Sequence, residues 1–292
     1  MNVALATDLG RIVGPRWVRA RPAELAAYEA DGLPTHASRP ALAVLPGSRQ
    51  ELIEAIHLLH LANVPFVARG AGTGLSGGAL AGNEAVLVVL TRLNRILHLD
   101  PKRRRAVVEP GVVNARLSEA ALPHGLYYAP DPSSQSACTL GGNIAENAGG
   151  PHCLKYGVTT NHVVALEVLL PNATLVRLGS GSSESWGPDL VGLFVGSEGM
   201  FGIATEITLR LEPIPAAVRT LLAAFPSIRT ASEAVSGIIA AGVVPAAMEM
   251  MDQACVRAVE ASIYAAGYPV DAAAVLLVEL DGTAEAVAGE AV

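Results

Sequence analysis

The chain has 292 residues, of which 51% are hydrophobic and 4% aromatic. This length and content are sufficient for two domains with hydrophobic cores. The formal net charge of −7 argues against a nucleic-acid partner, because binding to a phosphate backbone relies on clustered Lys and Arg. The one basic run, residues 102–105, is expected to be a solvated turn.

No targeting or membrane segment is expected. Glycine, proline or charge interrupts each apolar stretch before it reaches the roughly 18 to 20 residues of a membrane span. The N-terminus lacks the basic and apolar regions of a secretory signal. Cys138, Cys153 and Cys255 show neither CxxC spacing nor an even count, which favours reduced thiols. We therefore expect a cytoplasmic protein.

The first part of the chain mixes strands and helices. Residues 1–38 are expected to form a helical extension, with its helix at 22–30. A strand at 41–45 follows, and Ser48 and Glu51 form a capping box for a helix that ends near Asn63. Further strands are predicted at 65–68, 85–90, 95–99 and 106–109, and a helix at 113–122. The pattern indicates an α+β domain.

Two prolines in residues 212–215 mark the predicted domain boundary, because they close a strand at 203–211 and stiffen a linker. Other predicted elements are a hairpin of 163–170 and 174–177, strands at 218–225, 246–251 and 274–280, and helices at 227–241 and 252–265. The last ten residues begin a helix with no strand after it. We therefore predict one domain at 39–213, a truncated second domain at 216–292, and a longer parent protein.

Three glycine-rich segments, at residues 69–78, 141–150 and 196–202, hold 12 of the 29 glycines. The first and third follow strand-like or apolar sequence (residues 65–68 and 190–195), and all three are expected to be loops. Because glycine lacks a Cβ, such loops can adopt positive φ and direct successive N–H groups towards phosphate oxygens. Arg69 is the only basic residue in the three segments. Backbone dipoles would therefore bind most of the charge, which suits the diphosphate of a dinucleotide.

Residues 72–77 satisfy the GxGxxG pattern, which indicates a Rossmann fold only when a helix follows. Here glycine-broken sequence leads directly to the strand at 85–90, so the loop is predicted to join two strands. An ordinary turn explains one such loop in isolation. Three of them, together with the proline-rich residues 130–134, favour a shared ligand.

These segments resemble the FAD-binding proteins of the p-cresol methylhydroxylase and vanillyl-alcohol oxidase type. Within that family, the chain is similar to the group of the glycolate oxidase flavoprotein subunit and the D-lactate dehydrogenases. The matching sequences are residues 65–75, 130–134, 138–150, 155–158 and 196–203, with a weaker match at 245–252. The resemblance implies a two-subdomain FAD-binding fold followed by the beginning of an α+β cap domain. Nothing in the chain matches the C-terminal portion of the family.

The resemblance also implies a set of cofactor-binding residues. The first loop would wrap the FAD diphosphate, residues 130–134 and 139–143 would run beside the diphosphate and flavin, 147–150 would pass the isoalloxazine, and 198–203 would lie at the adenosine end. The implied residues are Arg69, Gly70, Ala71, Gly72, Thr73, Gly74, Pro130, Asp131, Ser133, Thr139, Gly141, Gly142, Asn143, Asn147, Gly149, Gly150, Glu198, Gly202 and Ile203. Arg69 could contact the diphosphate or only brace its loop. No His occurs at 69–78, and Cys138 is offset from the position of a covalent link, so non-covalent FAD is expected.

The implied reaction is oxidation of a small 2-hydroxy acid, glycolate or D-lactate, by hydride transfer to flavin N5. It also needs a base for the hydroxyl proton and a cation for the carboxylate. In similar enzymes these groups belong to a metal-centred cluster after the cap domain, beyond Val292. The catalytic residues are therefore unassigned, and no metal site is predicted within the chain.

The histidines show no metal-binding pattern. His57 and His60 are expected on an exposed helix face. His152 is the only histidine expected near the flavin, with packing or hydrogen bonding favoured over a direct role. Lys155 and Tyr156 could orient the same loop, although a role at the entry to a strand is favoured.

Two other interpretations stay open. A protein of the same fold could act on another substrate, as a phenol oxidase or an ether-lipid synthase does. Alternatively, the chain could bind FAD without turnover of its own and serve as one part of an electron-transfer complex. The resemblance to glycolate oxidase implies partner subunits, one of them an iron–sulfur subunit, since three cysteines are too few for such clusters.

Overall fold

The computed structural model describes residues 3–180 and 187–291. The chain divides into two units, the first made of residues up to 148 and of 158–212, and the second of 149–157 and 213–292. The division after residue 212 lies in the proline-rich linker. Each unit has its own sheets and hydrophobic core, and the predicted α+β class is confirmed. No described helix has the length and apolar character needed to cross a lipid bilayer.

The first sheet of unit 1 has the strand order β1-β2-β4-β3. Its strands are β1 (Val18–Arg19), β2 (Leu42–Val44), β3 (Phe66–Arg69) and β4 (Val86–Val89). As predicted, β3 and β4 are joined directly by the first glycine-rich loop, and they pair in parallel. Helix α3 (Arg49–Leu61) covers this sheet and buries Ile56 against it. It begins at the predicted residue, because Ser48 Oγ accepts from the N–H of Glu51 at 3.2 Å. The second half of the predicted capping box does not form, since the Glu51 carboxylate accepts from the N–H of Gly47 at 2.7 Å and not from that of Ser48.

The N-terminal residues form more secondary structure than the one predicted helix. That helix is α2 (Pro22–Leu25), continued by a 3-10 turn at Ala26–Tyr28. Sequence analysis missed α1 (Val3–Val13), whose buried Leu5, Leu9 and Val13 follow the spacing of one helix face. It also missed the antiparallel pairing of β1 with β2. Helix α1 packs in the same core as α3, so this segment belongs to the first unit.

The second sheet of unit 1 has the order β5-β6-β10-β8-β9 and is antiparallel throughout. Its strands are β5 (Ile96–Asp100), β6 (Arg105–Val108), β8 (Val163–Leu169), β9 (Leu175–Leu178) and β10 (Ile203–Arg210). Two short strands, β7 (Leu126–Tyr127) and β11 (Glu212–Pro213), do not belong to this sheet. Helix α4 (Asn114–Ala121) packs on this sheet through Leu117. All of its strands, the β8–β9 hairpin and α4 were predicted. Residues 102–104 of the basic run form the exposed β5–β6 turn, as expected, whereas Arg105 is the first residue of β6.

The second glycine-rich segment, predicted to be a loop, is largely helical. Helix α5 (Leu140–Glu146) occupies much of it, so that prediction is wrong. Helix α7 (Leu190–Phe194) forms in the apolar run before the third glycine-rich segment, where no helix was predicted. Thr139 caps α5 by accepting from the N–H of Gly142 at 3.4 Å, and Leu140 and Ile144 are buried. Packing and capping thus outweigh the low helix propensity of glycine.

Unit 2 contains an antiparallel sheet of order β12-β14-β13. Its elements are β12 (Ala217–Phe225), α8 (Ile228–Ala240), β13 (Ala247–Asp252), α9 (Gln253–Glu260), β14 (Ala274–Gly282) and α10 (Ala284–Glu290), with α6 (Cys153–Tyr156) from the earlier segment. The predicted caps Ser227 and Asp252 are confirmed. Helix α9 ends five residues before its predicted end. There the Glu260 carboxylate accepts from the N–H groups of residues 266–268 and turns the chain back.

Candidate functional site

A cleft in unit 1 lies where the glycine-rich segments meet. The region of the cleft spans about 1060 Å³, a figure that includes open solvent. Most of the predicted cofactor-binding residues line it, and they come from the loop after β3, from α5 and its cap, and from the segment after α7. These residues are Arg69, Gly70, Ala71, Gly72, Thr73, Gly74, Thr139, Gly141, Gly142, Asn143, Glu198, Gly202 and Ile203. Segments that are far apart in sequence thus form one concave site.

The other predicted residues do not line this cleft. Pro130, Asp131 and Ser133 are not among the lining residues, although Pro132 and Ser134 of the same segment are. Asn147 ends α5 with φ 49°, and its Oδ1 accepts from the N–H of Thr160 at 2.9 Å. Gly149 and Gly150 belong to unit 2. A role for these residues in cofactor binding stays a prediction.

Arg69 braces the loop that follows β3. Its side chain is buried, and the guanidinium donates to the carbonyls of Ala30 at 2.9 Å and Ala79 at 3.1 Å. It also lies 5.8 Å from the ring centroid of Tyr28. Burial lowers the pKa of Arg69 from its ordinary value. Of the two roles that the sequence leaves open, these contacts support bracing.

Two glycines allow other side chains to lie directly against this loop. A Cβ at Gly72, where φ is 73°, would overlap the Arg69 guanidinium. A Cβ at Gly70 would overlap Thr139 Oγ1, which caps α5. Because a Cβ at Gly70 would meet the Thr139 side chain, the loop backbone lies close to the start of α5. This is the close backbone approach for which glycine is needed.

Three carboxylates line the cleft, and sequence analysis identified only Glu198 among them. Glu146 accepts from the Ser76 hydroxyl at 3.3 Å, and Asp31 accepts from the N–H of Gly77 at 2.9 Å. Burial, followed by the negative charge of Glu198, raises the pKa of Glu146. Asp31 belongs to no recognisable motif, whereas Glu146 lies within the second glycine-rich segment but was not singled out there.

Asn143 supplies an amide donor that makes no hydrogen bond of good geometry within the described protein and lies beside the Cys138 thiol. It is 3% exposed and lines the cleft, and its Nδ2 has no partner in the described part of the chain. A buried amide left without a partner costs roughly 1 to 3 kcal/mol, so an acceptor on a ligand would be favoured there. Arg69 is the only cation among the described lining residues. Glycine backbone, one amide donor and one braced cation together fit a nucleotide diphosphate.

The residues considered for chemistry lie elsewhere. His57 and His60 are exposed on α3, as expected. In unit 2, His152 contacts Glu279, whereas Lys155 and Tyr156 both bind Asp281. Across residues 3–180 and 187–291, no group of His, Cys, Asp or Glu has an arrangement that could hold a metal ion.

Two protein families match this chain in succession. Residues 40–179 match the FAD binding domain, and residues 214–292 match the C-terminal domain of FAD linked oxidases. The chain is 52% identical over 259 residues to the glycolate oxidase subunit GlcD of Escherichia coli (strain K12), a match that covers 89% of this chain and 52% of that protein. It is 35% identical over 254 residues to the D-lactate dehydrogenase of Anaerostipes hadrus, covering 85% and 53%. The chain thus spans about half the length of these relatives.

Solved structures show the same fold. An alkyldihydroxyacetonephosphate synthase superposes with a TM-score of 0.84 at 21% identity, covering 100% of this chain and 58% of that one. A p-cresol methylhydroxylase with substrate bound gives a TM-score of 0.78 at 18% identity, covering 98% and 62%. The predicted fold of the p-cresol methylhydroxylase type is therefore confirmed.

Proposed function

Since the chain belongs to the FAD-linked oxidoreductases of the p-cresol methylhydroxylase type, we propose that it binds FAD in the cleft of unit 1 and takes part in oxidising a small 2-hydroxy acid. The glycine-lined cleft, with the unused amide donor of Asn143, is the observation that supports FAD binding most directly. The substrate class rests on relatives named glycolate oxidase subunit, D-lactate dehydrogenase and D-2-hydroxyglutarate dehydrogenase.

The chain's own residues would hold the cofactor mainly through the backbone. N–H groups of residues 70–74 would bind the diphosphate, and Asn143 Nδ2 would donate to an acceptor within the cleft. Glu198, Gly202 and Ile203 are proposed for the adenosine end. When bound, FAD supplies the acceptor for the hydride. The protein's part is to bind, orient and shield it.

We propose that the FAD is dissociable. Cys138 is the one cysteine that lines the cleft, and it is 4% exposed. Burial raises the pKa of its thiol, which keeps it from forming the reactive thiolate. No histidine occurs at residues 69–78. FAD should therefore be released by denaturation and recovered intact.

We also propose that the protein works with other subunits, because its relative GlcD is named as a subunit of glycolate oxidase. One of them would be an iron–sulfur subunit that accepts electrons from the flavin. Cys138, Cys153 and Cys255 are all free thiols and form no cluster-binding group in the described chain. A cytoplasmic location stays part of this proposal.

Absorbance of the purified protein tests the proposal. We expect a yellow protein, or a colourless one that becomes yellow with added FAD, at one flavin per chain. Bleaching of the flavin band by anaerobic glycolate or D-lactate would support turnover by the chain itself. Because the chain spans half the length of its relatives, FAD binding without bleaching would favour the alternative of a binding module without turnover. Failure to bind FAD would refute both functions.

A further inference from the structure

Residues 28–32, named the support segment here, contact the glycine-rich loop after β3 within unit 1. The N–H of Gly32 donates to the carbonyl of Gly74 at 2.9 Å. The Asp31 carboxylate accepts from the N–H of Gly77, also at 2.9 Å. Two adjacent residues of the support segment therefore bind the loop at two separate positions.

Arg69 joins the support segment to the beginning of the same loop. Its guanidinium donates to the carbonyl of Ala30 and lies near the ring of Tyr28. Arg69 is the last residue of β3, so this contact is made where the loop leaves the sheet. The support segment thus holds the loop at its start and at two later points.

Gly32 lies too close to the loop to carry a side chain. A Cβ at this position would lie 2.7 Å from the carbonyl oxygen of Thr73 and 2.9 Å from that of Gly74. Both oxygens belong to the backbone, which cannot rotate aside as the end of a long side chain can. A side chain at residue 32 would therefore displace the loop itself.

The N–H groups of residues 70–74 are left available to a ligand. Within the described residues 3–180 and 187–291, none of them donates to a protein acceptor, and all five residues line the cleft. Successive free N–H groups of this kind can form a concave anion site. A loop that is already held in one conformation loses less freedom when a ligand binds, which favours affinity.

We propose that the support segment is part of the cofactor site and holds residues 70–74 in the conformation that binds the diphosphate of FAD. The matched FAD binding domain begins at residue 40, so it does not include this segment. Asp31 and Gly32 are positioning residues, because they act through the loop that they bind. This inference rests on the proposed binding of FAD.

Gly32→Ala in the full 292-residue chain is the principal test, with Gly82→Ala as its matched control. Neither glycine has a positive φ, and nothing lies within 4 Å of a Cβ at Gly82. In the FAD-free parent, ¹⁵N relaxation of residues 70–74 should give order parameters of about 0.85, the value of rigid backbone. In Gly32→Ala they should fall towards about 0.6, and FAD should bind at least about tenfold more weakly. Gly82→Ala should match the parent in both measurements.

A second pair of variants decides the question if Gly32→Ala does not fold. Asp31→Asn and Asp31→Ala both remove a negative charge from the cleft, but only the asparagine retains an oxygen that can accept from the N–H of Gly77. FAD should therefore bind more tightly to Asp31→Asn than to Asp31→Ala. Because the charge is absent from both, this difference measures the hydrogen bond to the loop.

Three results would overturn the proposal for a parent chain that binds FAD. These are equal FAD affinities of the two Asp31 variants, parental affinity in a folded Gly32→Ala protein, and a loop that is already flexible in the FAD-free parent. Lowered melting temperatures with unchanged FAD affinities would likewise assign the support segment to stability alone. If the parent chain binds no FAD, the proposed function fails and this role fails with it.

Discussion

The guanidinium of Arg69 occupies the space into which a Cβ at Gly72 would project. Gly72→Ala should therefore displace Arg69 from the carbonyls of Ala30 and Ala79 and weaken FAD binding by at least about tenfold, or about 1.4 kcal/mol. Gly77→Ala is the matched control, because φ is 79° there but nothing lies near the added Cβ. Fluorescence titration with FAD measures both affinities. Equal losses would show that backbone strain alone, and not the overlap, is responsible.

Replacing Arg69 itself separates bracing from charge. Arg69→Lys keeps the positive charge but loses the fork that reaches two carbonyls, whereas Arg69→Met loses both. If Arg69 is a brace, both variants should lose roughly 1 to 3 kcal/mol of unfolding free energy and similar amounts of FAD affinity. Urea denaturation and FAD titration provide the two measurements. Full FAD affinity in Arg69→Lys would instead assign the role to charge.

Two adjacent glycines of α5 should respond in opposite directions. A Cβ at Gly141 would lie 2.7 Å from Pro110 Cβ and 3.0 Å from its carbonyl oxygen, whereas at Gly142 the nearest atom is Thr139 Oγ1 at 3.4 Å. Gly141→Ala should destabilise the FAD-free protein by about 1 to 3 kcal/mol through overpacking. Gly142→Ala should stabilise it by about 0.5 to 1 kcal/mol through helix propensity. Urea denaturation measures both free energies of unfolding. A Gly141→Ala protein more stable than the Gly142→Ala protein would contradict the prediction.

FAD affinity should depend on pH through Glu146. Because the pKa of Glu146 is raised, the folded protein favours the protonated carboxyl, and this preference contributes to the free energy of unfolding at low pH. The contribution is lost as the pH rises above the ordinary pKa of 4.5 and through the raised pKa. A bound diphosphate adds repulsion to the ionised form, and FAD affinity should fall over the same range. Glu146→Gln, which retains an acceptor for Ser76, should remove this slope and bind FAD more tightly at pH 7.

The control for this pH dependence is Glu119→Gln, since Glu119 is exposed on α4. It should keep the slope of the parent chain. FAD dissociation constants measured from pH 4.5 to 7.5 in one buffer series make the comparison, with the range set by the ordinary glutamate pKa. A slope that persists unchanged in Glu146→Gln would show that another group titrates.

Local signals were sufficient for most of the fold. Ser48, Ser227 and Asp252 begin helices as predicted, and the β8–β9 hairpin pairs Leu169 with Leu175 around its predicted turn. The errors arise where tertiary structure opposes local propensity. Packing of Leu140 and Ile144 makes a helix of glycine-rich sequence, and β1 is only two residues long and is defined by its pairing with β2.

The site was predictable where a single segment supplied it. The glycine loop after β3 follows from its own residues, whereas Asp31 reaches the cleft from a separate segment without a motif. Glu146 lies in the second glycine-rich segment, but its position depends on a helix that was not predicted there. Nothing in the sequence indicated that residues 149–157 belong to unit 2, because Lys155 binds Asp281, which lies 126 positions later. Sequence patterns of short range carry no information on such pairings.

In the proposed complex, backbone amides of a glycine-rich loop, and not cationic side chains, bind the diphosphate of FAD. A crystal structure of the chain with FAD would show this binding directly. We expect diphosphate oxygens within hydrogen-bond distance of the N–H groups of residues 70–74, with Arg69 still bound to Ala30 and Ala79. A diphosphate held mainly by Lys and Arg side chains, or located outside this cleft, would contradict it.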